Sequence, residues 1–495
     1  MMDLPELTET HHDIAVVGAG PAGLTAAVTA AELGQRVVLI DAGNQPGGQY
    51  WRHPDERFPV GDESAGHHDW RLFESLRKRL GQQVQEGLVS YLSSQQVWHV
   101  ENTPGTAEPE AFRFHLTGTT AAASAGIPSV VATRVVLAPG GYDRQLPVPG
   151  WDLPGVMAAG GVQALLKGHR TVAGKRVVVA GTGPFLLPVA KQLAEHGAHV
   201  VAICEANDLR GWLRRIPAAM SAPAKAIEAG QYGTALARHR IPYRLRTAVT
   251  RVHANETGDQ VDGVTLSRLN REGHIERRLE RIQVDLVAMG WGFTPSMELV
   301  DCVGADTRQD VDGSLVTVVD DYQRSSVAGV LVAGEATGVG GAALAVAEGE
   351  LAAITASADS GAKIDERRRR SLRRRIRRLR AFAEAMHLAH PLPQGWQKWV
   401  DEETLICRCE EVSYSALRHA VDHLGAEDLR TAKLLARPGM GWCQGHVCGF
   451  ATACLVAKDG HPTAQDLRAF ARQTPSVPVP LGQLADLHQP SPGED

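Results

Sequence analysis

Residues 12–41 read HDIAVVGAGPAGLTAAVTAAELGQRVVLID, and their order decides the architecture. An apolar run, Ile14 to Val17, enters Gly18-Ala-Gly20-Pro21-Ala22-Gly23. A helix of small residues follows, and a second apolar run, Val37 to Ile40, ends on Asp41. Strand, glycine turn, helix, strand and acid in this order describe a βαβ unit built around a dinucleotide. Gly18 permits the tight turn, Gly20 lets backbone approach a pyrophosphate, and Gly23 lets helix and strand pack closely. The helix N-terminus, at Pro21 and Ala22, offers free N–H groups and a positive dipole end to the phosphates. Asp41 stands 23 residues past Gly18, about where an acid binds a ribose hydroxyl. The bland alternative is an ordinary βα turn with three incidental glycines, but strand, helix and acid accompany this one.

The whole chain has room for more than this unit. Its 495 residues allow two to four domains, with 43% hydrophobic and 22% charged residues as in ordinary globular proteins. A net charge of −5 carries no nucleic-acid signature. No apolar run approaches the roughly 18–20 residues of a membrane span, and the first residues lack a secretory pattern. Seven cysteines, an odd number, argue against a disulfide framework and for a cytoplasmic protein with a metal or cluster site.

After Asp41, the loop Gly43-Asn-Gln-Pro-Gly47-Gly48-Gln49 is too rich in glycine for a core and lies beside the expected cofactor. Residues 53 to 70 read as a solvated excursion, followed by a helix near Asp69 to Leu80. Alternation around 97–100 and 112–116 predicts a small meander, with a flexible Ala/Ser/Gly interval near 119–126. A buried strand, Val130 to Ala138, ends in Pro139-Gly140-Gly141-Tyr142.

Arg176 to Ala180 then opens a second unit of the first kind: Gly181-Thr-Gly183, a helix to His196, a strand from Val200 to Cys204, and Glu205. Glu205 would favour NADH over NADPH, since an acid repels a 2′-phosphate. The third glycine position is Leu186, which opposes close helix–strand packing and crowds a pyrophosphate. Whether NAD(P)H, another adenine nucleotide or nothing binds there stays open. Asp285 to Pro295 mirrors the strand that ends at Gly140, and a later strand reaches Gly334-Glu335 before an Ala/Gly-rich helix from about Gly340.

Arginines 367–370, 373–375, 377, 378 and 380 form a basic run, with Leu372, Ile376, Leu379, Phe382 and Met386 on one helical face. This is a solvated linker helix or, alternatively, a peripheral contact at the inner face of the cytoplasmic membrane. Trp396 and Trp399 anchor the linker. Cys407-Arg-Cys409 and Cys443-Gln-Gly-His-Val-Cys448 follow, separated by two short helices, the first closed by Gly425. Two close thiolate pairs can hold zinc or a [2Fe–2S] cluster. An electron carrier suits a chain that also binds a redox dinucleotide. Gly439, Gly441, Gly445 and Gly449 suit N–H donors near sulfur. No cysteine lies near Gly18 or Gly47, which argues against a redox disulfide. Cys204 and Cys302 read as core residues, and Cys454 as a poor fifth ligand.

Two nested nucleotide folds with a returning segment resemble the FAD-dependent pyridine-nucleotide reductase superfamily over about residues 10–360. In that superfamily the Gly334-Glu335 position contacts the flavin ribityl chain and pyrophosphate, with Asp as the usual acid. The full order, ending in CRCEEV…GMGWCQGHVCG, is similar to a narrower group. It comprises the larger flavin subunits of opine oxidases, their counterpart in hydrogen cyanide synthase, and dye-linked proline and hydroxyproline dehydrogenases. The stretches from Ala138 to Trp151 and Gly181 to Pro188 carry that likeness, and in this group Leu186 is normal.

The resemblance implies an α/β fold of two nested Rossmann-like domains without the redox disulfide, plus a small helical C-terminal [2Fe–2S] domain. FAD would be held by Gly18, Gly20, Pro21, Ala22, Gly23, Asp41, Gly47, Gly48, Gln49, Gly140, Gly334 and Glu335, and the cluster by Cys407, Cys409, Cys443 and Cys448. Gly181, Gly183 and Glu205 would line the second nucleotide site. The expected segments are 1–155 and 285–360 for the FAD domain, 156–284 for the second unit, 361–400 for the linker, 401–470 for the cysteine module, and 471–495 for a Pro-rich tail. The implied function is electron relay in a hetero-oligomer. An amine-oxidase-type FAD subunit oxidises the C–N bond of an opine, hydroxyproline, proline or glycine. An FMN between subunits occurs in some relatives, as does a small [2Fe–2S] subunit. A quinone or other respiratory carrier accepts the electrons. The rivals are a self-sufficient NADH-dependent reductase and a non-catalytic cofactor-bearing scaffold.

Overall fold

A computed structural model describes residues 11–58, 61–64, 66–103, 111–120, 129–208, 210–213, 215, 223–471 and 475–486. The expectations for the N-terminus, the interval near 119–126 and the tail fall wholly or partly outside these residues. β1 (His11–Val17), α1 (Pro21–Glu32) and β2 (Val37–Asp41) form the opening unit, with β1 and β2 parallel and Ile14 opposite Val37. Ile14, Ala15 and Val16 are fully buried, as are most residues of α1. Small residues are needed there because α1 packs against both the sheet and the later helix Ala342–Asp359. A Cβ on Gly349 of that helix would overlap the Ala22 carbonyl.

α2 (Trp70–Gln85) leads to β3 (Val89–Ser93), β4 (Gln95–Thr103), β5 (Ala111–Gly118) and β6 (Ser129–Leu137). The sheet order is β3-β2-β1-β6-β5-β4. One half of β6 pairs with β5, and the other pairs in parallel with the distant strand Val330–Val332. That pairing brings the returning segment into the first domain and sets Gly334 beside the Gly18 turn. The described part of 53–70 is exposed at Glu56–Phe58, Gly61, Asp62, Gly66 and Asp69, but His53, next to the buried Trp51, is buried and packs against Trp70 and Phe73 of α2.

β7 (Gly141–Asp143) crosses to the second domain, which contains β8 (Val156–Ala158), α3 (Ala159–His169), β9 (Arg176–Gly181), α4 (Leu186–Glu195), β10 (His199–Glu205) and β11 (Tyr243–Leu245). An antiparallel layer of β12 (Thr247–Ala254), β13 (Val261–Leu269) and β14 (Ile275–Gln283) covers one face. β15 (Leu286–Gly290) completes the parallel order β11-β10-β9-β15-β8, so the second unit ends after Gly290 rather than at 284. β16 (Phe293–Pro295) then pairs antiparallel with β7, and these two strands join the domains.

The basic helix spans Glu366–Ala389 and lies on the helix Ala342–Asp359. Leu372 and Ile376 pack onto Ala347, Leu351 and Ile354. Arg368 pairs with Glu350 at 2.6 Å, and Arg373 with Asp321. The helix is therefore a docked clamp, and the membrane alternative loses its free apolar face. Among the described residues no helix is long and apolar enough to cross a membrane. Beyond it come a short ribbon of Leu405–Cys407 with Val412–Ser413 and the helices Tyr414–His423, Leu429–Ala436, Gly449–Val456 and Ala464–Ala471. Ser413 Oγ accepts from Ala416 N at 3.2 Å and Asp428 Oδ1 from Thr431 N at 2.9 Å, which caps the first two helices.

Candidate functional site

The glycine turn has the geometry its spacing requires. Gly18 has φ 98°, donates its N–H to Ile40 O at 2.7 Å, and has no room for a Cβ beside the Ala138 carbonyl. A Cβ on Gly23 would fall inside the Gly18 carbonyl oxygen. α1 has no side-chain cap and no acid in its first turn, so its leading N–H groups face the cleft unspent. Gly47 donates to Ala19 O at 2.9 Å, and a Cβ on Gly48 would lie 2.8 Å from Gly20 Cα. The Gly47-Gly48-Gln49 loop thus folds tightly over the phosphate turn. Asp41 accepts from Ala19 N at 3.1 Å. Burial raises its carboxyl above the ordinary range, and the N–H groups of Ala19 and Gly43 oppose that.

Gly18, Gly20, Pro21, Ala22, Asp41, Gly48, Gln49, Gly140, Gly334 and Glu335 all line one cleft of 2310 Å³, with Gly23 and Gly47 packed behind it. Gly334 has φ 80° and stands against Ala22 at the start of α1. Glu335 Oε1 accepts from Gly341 N at 3.2 Å, whereas Oε2 is buried with no partner. That orphaned oxygen fits a hydroxyl donor from a bound dinucleotide. Burial pushes the Glu335 carboxyl up to about 7. A raised carboxyl favours the protonated folded state, so the cofactor-free chain loses stability as pH climbs from the ordinary carboxyl range through 7. Glu335→Gln is therefore expected to stabilise the apoprotein at about pH 8 by on the order of 2 kcal/mol and to do little at about pH 5. Melting curves at both pH values test this; an equal gain at both would remove the titration as its cause.

The second unit differs in its interior. Glu205 is fully buried and accepts from Thr182 Oγ1 at 2.9 Å, Gly183 N at 2.8 Å and Asn207 N at 3.0 Å. His390 Nδ1 lies 3.6 Å from it. Burial acts against the charge, but His390 and the surrounding N–H groups hold the carboxyl below its ordinary range. Asn207 Nδ2 also donates to Pro391 O at 2.8 Å, and Trp212 Nε1 to His390 Nε2 at 2.9 Å. The linker after the basic helix thus covers Glu205, the acid expected to meet a ribose. Gly181 abuts the Gly290 carbonyl, whereas Gly183 is open. Leu186 is buried beside Gly290 of β15, whose missing side chain admits the bulk that the third glycine position lacks.

The four C-terminal cysteines stand as two pairs. Cys407 is hydrogen-bonded to Cys448, which holds the Cys407 thiol down at about 5 and pushes Cys448 up. Gly439 N also donates to Cys407 Sγ at 3.5 Å. Cys409 is hydrogen-bonded to Cys443. Among the described residues, no three His, Cys, Asp or Glu side chains are grouped to hold a single metal ion. Cys204 is buried as expected, Cys454 is buried as well, and Cys302, expected in the core, is half-buried, 3.4 Å from His99 Nδ1.

The module is fastened to both nucleotide domains. Trp151 Nε1 donates to Leu405 O at 2.6 Å, Arg408 returns a bond to Trp151 O at 3.0 Å, and Arg251 pairs with Asp401 at 2.8 Å. On the other side His446 meets Glu298 at 2.7 Å and Arg468 meets Asp301 at 2.9 Å. His446, within the Cys443–Cys448 loop, stacks on Tyr142 with ring centroids 4.4 Å apart. Tyr142 follows Gly140 and Gly141 on the cleft wall, so aromatic contact links cleft and cysteines. Sequence reading missed Tyr142 and His446 as a pair because they lie about 300 positions apart. It also missed Arg380, one of many arginines, whose contact with Glu348 has no sequence signal beyond one of three acids in an alanine-rich helix.

The model of the pyridine nucleotide-disulphide oxidoreductase family matches residues 12–361. The A subunit of opine oxidase from Agrobacterium tumefaciens is 32% identical, over 96% of this chain and 92% of that one. Hydrogen cyanide synthase subunit HcnB of Pseudomonas protegens is 28% identical, over 96% and 97%. The crystal structure of L-proline dehydrogenase from P. horikoshii superposes with a TM-score of 0.65 at 20% identity, over 96% of this chain and 79% of that one, a likeness of fold.

Proposed function

The chain belongs to the pyridine nucleotide-disulphide oxidoreductase family, among the relatives of the opine oxidase A subunit, and on that premise we propose that it is the electron-relay subunit of a hetero-oligomeric amino acid or opine dehydrogenase. It is an oxidoreductase flavoprotein whose dinucleotide is FAD. A partner subunit of the amine-oxidase type binds the substrate and oxidises its C–N bond, and a quinone or other respiratory carrier removes the electrons. FAD supplies the exchange between paired and single electrons. The residues described above would bind it: the Gly18–Gly23 turn would receive the pyrophosphate, Asp41 a ribose, and Glu335 a hydroxyl through its free Oε2.

The cysteine module is read as a [2Fe–2S] site. A four-cysteine cluster takes two thiolates on each iron, whereas zinc needs four ligands at one centre. The pairs Cys407 with Cys448 and Cys409 with Cys443 could supply two thiolates to each iron of such a cluster.

The observation that carries the relay reading over the NADH-dependent one is the enclosure of Glu205 by Thr182, Gly183, Asn207 and the linker. With three donors on it, His390 beside it and the linker over it, this carboxylate is buried away from a ribose entering the cleft. Anaerobic addition of NADH to the flavin-loaded protein is expected to leave the flavin absorbance unchanged. Rapid bleaching would transfer the function to the reductase reading.

A further inference from the structure

The cleft holds two cations that no carboxylate among the described residues neutralises. Lys167, near the end of α3, is 7% exposed, and its Nζ donates only to Tyr50 O, at 3.1 Å, above the Tyr50 ring. Two of the three ammonium donors are thereby left for something else. Arg52 lies alongside: its Cγ and Cδ pass Gly168, where a Cβ would stand 3.4 Å from each, and its Nε is buried with no partner. Both side chains line the same cleft as Gly20, Gly48 and Gln49.

Among the described residues, none of the nearby carboxylates makes an ion pair with Arg52 or Lys167, and Asp62 and Asp69 are exposed. Glu56 pairs with His53 and Arg77, Glu63 with Arg77, and Asp55 with Arg57. Asp62 accepts from Ser64, and Asp69 from Tyr50 OH. His67, whose Nε2 bonds Arg52 O at 2.6 Å, is pushed down to about 4 by burial, with Lys167 and Arg170 adding to the effect. An imidazole offers neither Arg52 nor Lys167 a counter-charge. Buried cations are ordinarily paired, because desolvation without a counter-charge is expensive. The cleft has space for a counter-ion on a second ligand: 2310 Å³ exceeds the roughly 300–1,000 Å³ of a single-ligand pocket.

We propose that Arg52 and Lys167 form an oxyanion site that receives the carboxylate or phosphate of a second small ligand, held beside the dinucleotide on the Tyr50 side of the cleft. It stands on these cations alone and holds whichever way electrons enter the flavin.

Calorimetric titration of the flavin-loaded protein, with inorganic phosphate in one arm and acetate in the other, tests the site. One saturable event is expected with at least one anion. Arg52→Gln and Lys167→Met should each weaken it by about tenfold or more, the loss of one charge-assisted contact, while Lys167→Arg stays within about threefold. Tighter phosphate binding identifies a phosphomonoester ligand, and tighter acetate binding a carboxylate one. The proposal is overturned if neither anion binds saturably, or if both neutral variants bind as the unsubstituted protein does. It also fails if the variants lose flavin in step with the anion, because the cations then serve the dinucleotide itself. Arg52→Gln, at the less buried member, keeps the test available should Lys167→Met fail to fold.

Discussion

Gly23→Ala is expected to yield a chain without flavin and with a markedly lower melting temperature. The added methyl would occupy the space of the Gly18 carbonyl oxygen and stand 3.3 Å from Val16 Cγ1. Neither neighbour can yield. Gly18 is pinned by its bond to Ile40 O at 2.7 Å and is itself pressed against Ala138. α1 must therefore withdraw from β1, and the helix Ala342–Asp359 behind it leaves no room for that. Forced overpacking of this kind costs about 3 kcal/mol. The withdrawn helix also carries away the N–H groups meant for the pyrophosphate, so flavin affinity should fall by about a hundredfold or more, equivalent to roughly 2.7 kcal/mol. Flavin-to-protein absorbance after gel filtration measures one effect and a melting curve the other. Gly34→Ala is the control: φ is 82° there, but nothing lies within 4 Å, so only backbone strain of about 1 kcal/mol is added. Normal flavin content in Gly23→Ala would disprove the close helix–turn contact.

The second large effect belongs to Arg380. Its guanidinium donates to Gly338 O at 2.6 Å, Thr337 Oγ1 at 2.8 Å and Glu348 Oε1 at 2.5 Å. Glu348 is 1% exposed, and its other oxygen accepts from Gly334 N and Thr337 Oγ1, each at 2.9 Å. Arg380→Met leaves that carboxylate buried without its counter-charge, a loss of about 3–5 kcal/mol. Arg377→Met, on the exposed side of the same helix, should change stability by less than about 0.5 kcal/mol. Adding Glu348→Gln to Arg380→Met should restore part of the loss, since the two effects are not independent. Urea denaturation of the four proteins gives the comparison. Equal effects at Arg377 and Arg380 would mean that the basic helix acts only as a charged surface.

These two residues also mark how far the sequence could be read. Gly23 was legible because its requirement is local: a turn, a strand and a helix within 30 residues leave one arrangement. The second Rossmann unit and the returning segment at Gly334 were legible for the same reason, since each carries its pattern on consecutive residues; the cysteines were not, because the structure pairs Cys407 with Cys448 and Cys409 with Cys443 across the two close-spaced motifs. Glu205 was not. Its spacing from Gly181 matches a ribose-binding acid, but its occupancy depends on His390 and Pro391, about 185 positions away. Arg380 is hidden among nine other arginines of one run, and only the packing of Leu372 and Ile376 rotates it toward Glu348. The wider lesson concerns Leu186. It departs from the glycine rule within its own turn, yet the rule is met across the sheet by Gly290.

The fastening of the cysteine module has a mechanical consequence. Trp151, Arg408 and Arg251 tie it to the second domain, and Glu298 and Asp301 tie it to the first, so it bridges the strands β7 and β16 that connect them. Rotation about those strands would have to break ties on one side or the other. The span from the cleft wall at Tyr142 to the Cys443–Cys448 loop is therefore a fixed length of the molecule. In the proposed relay, charge crossing it would travel along a stationary conductor, with no swinging arm needed to complete the circuit.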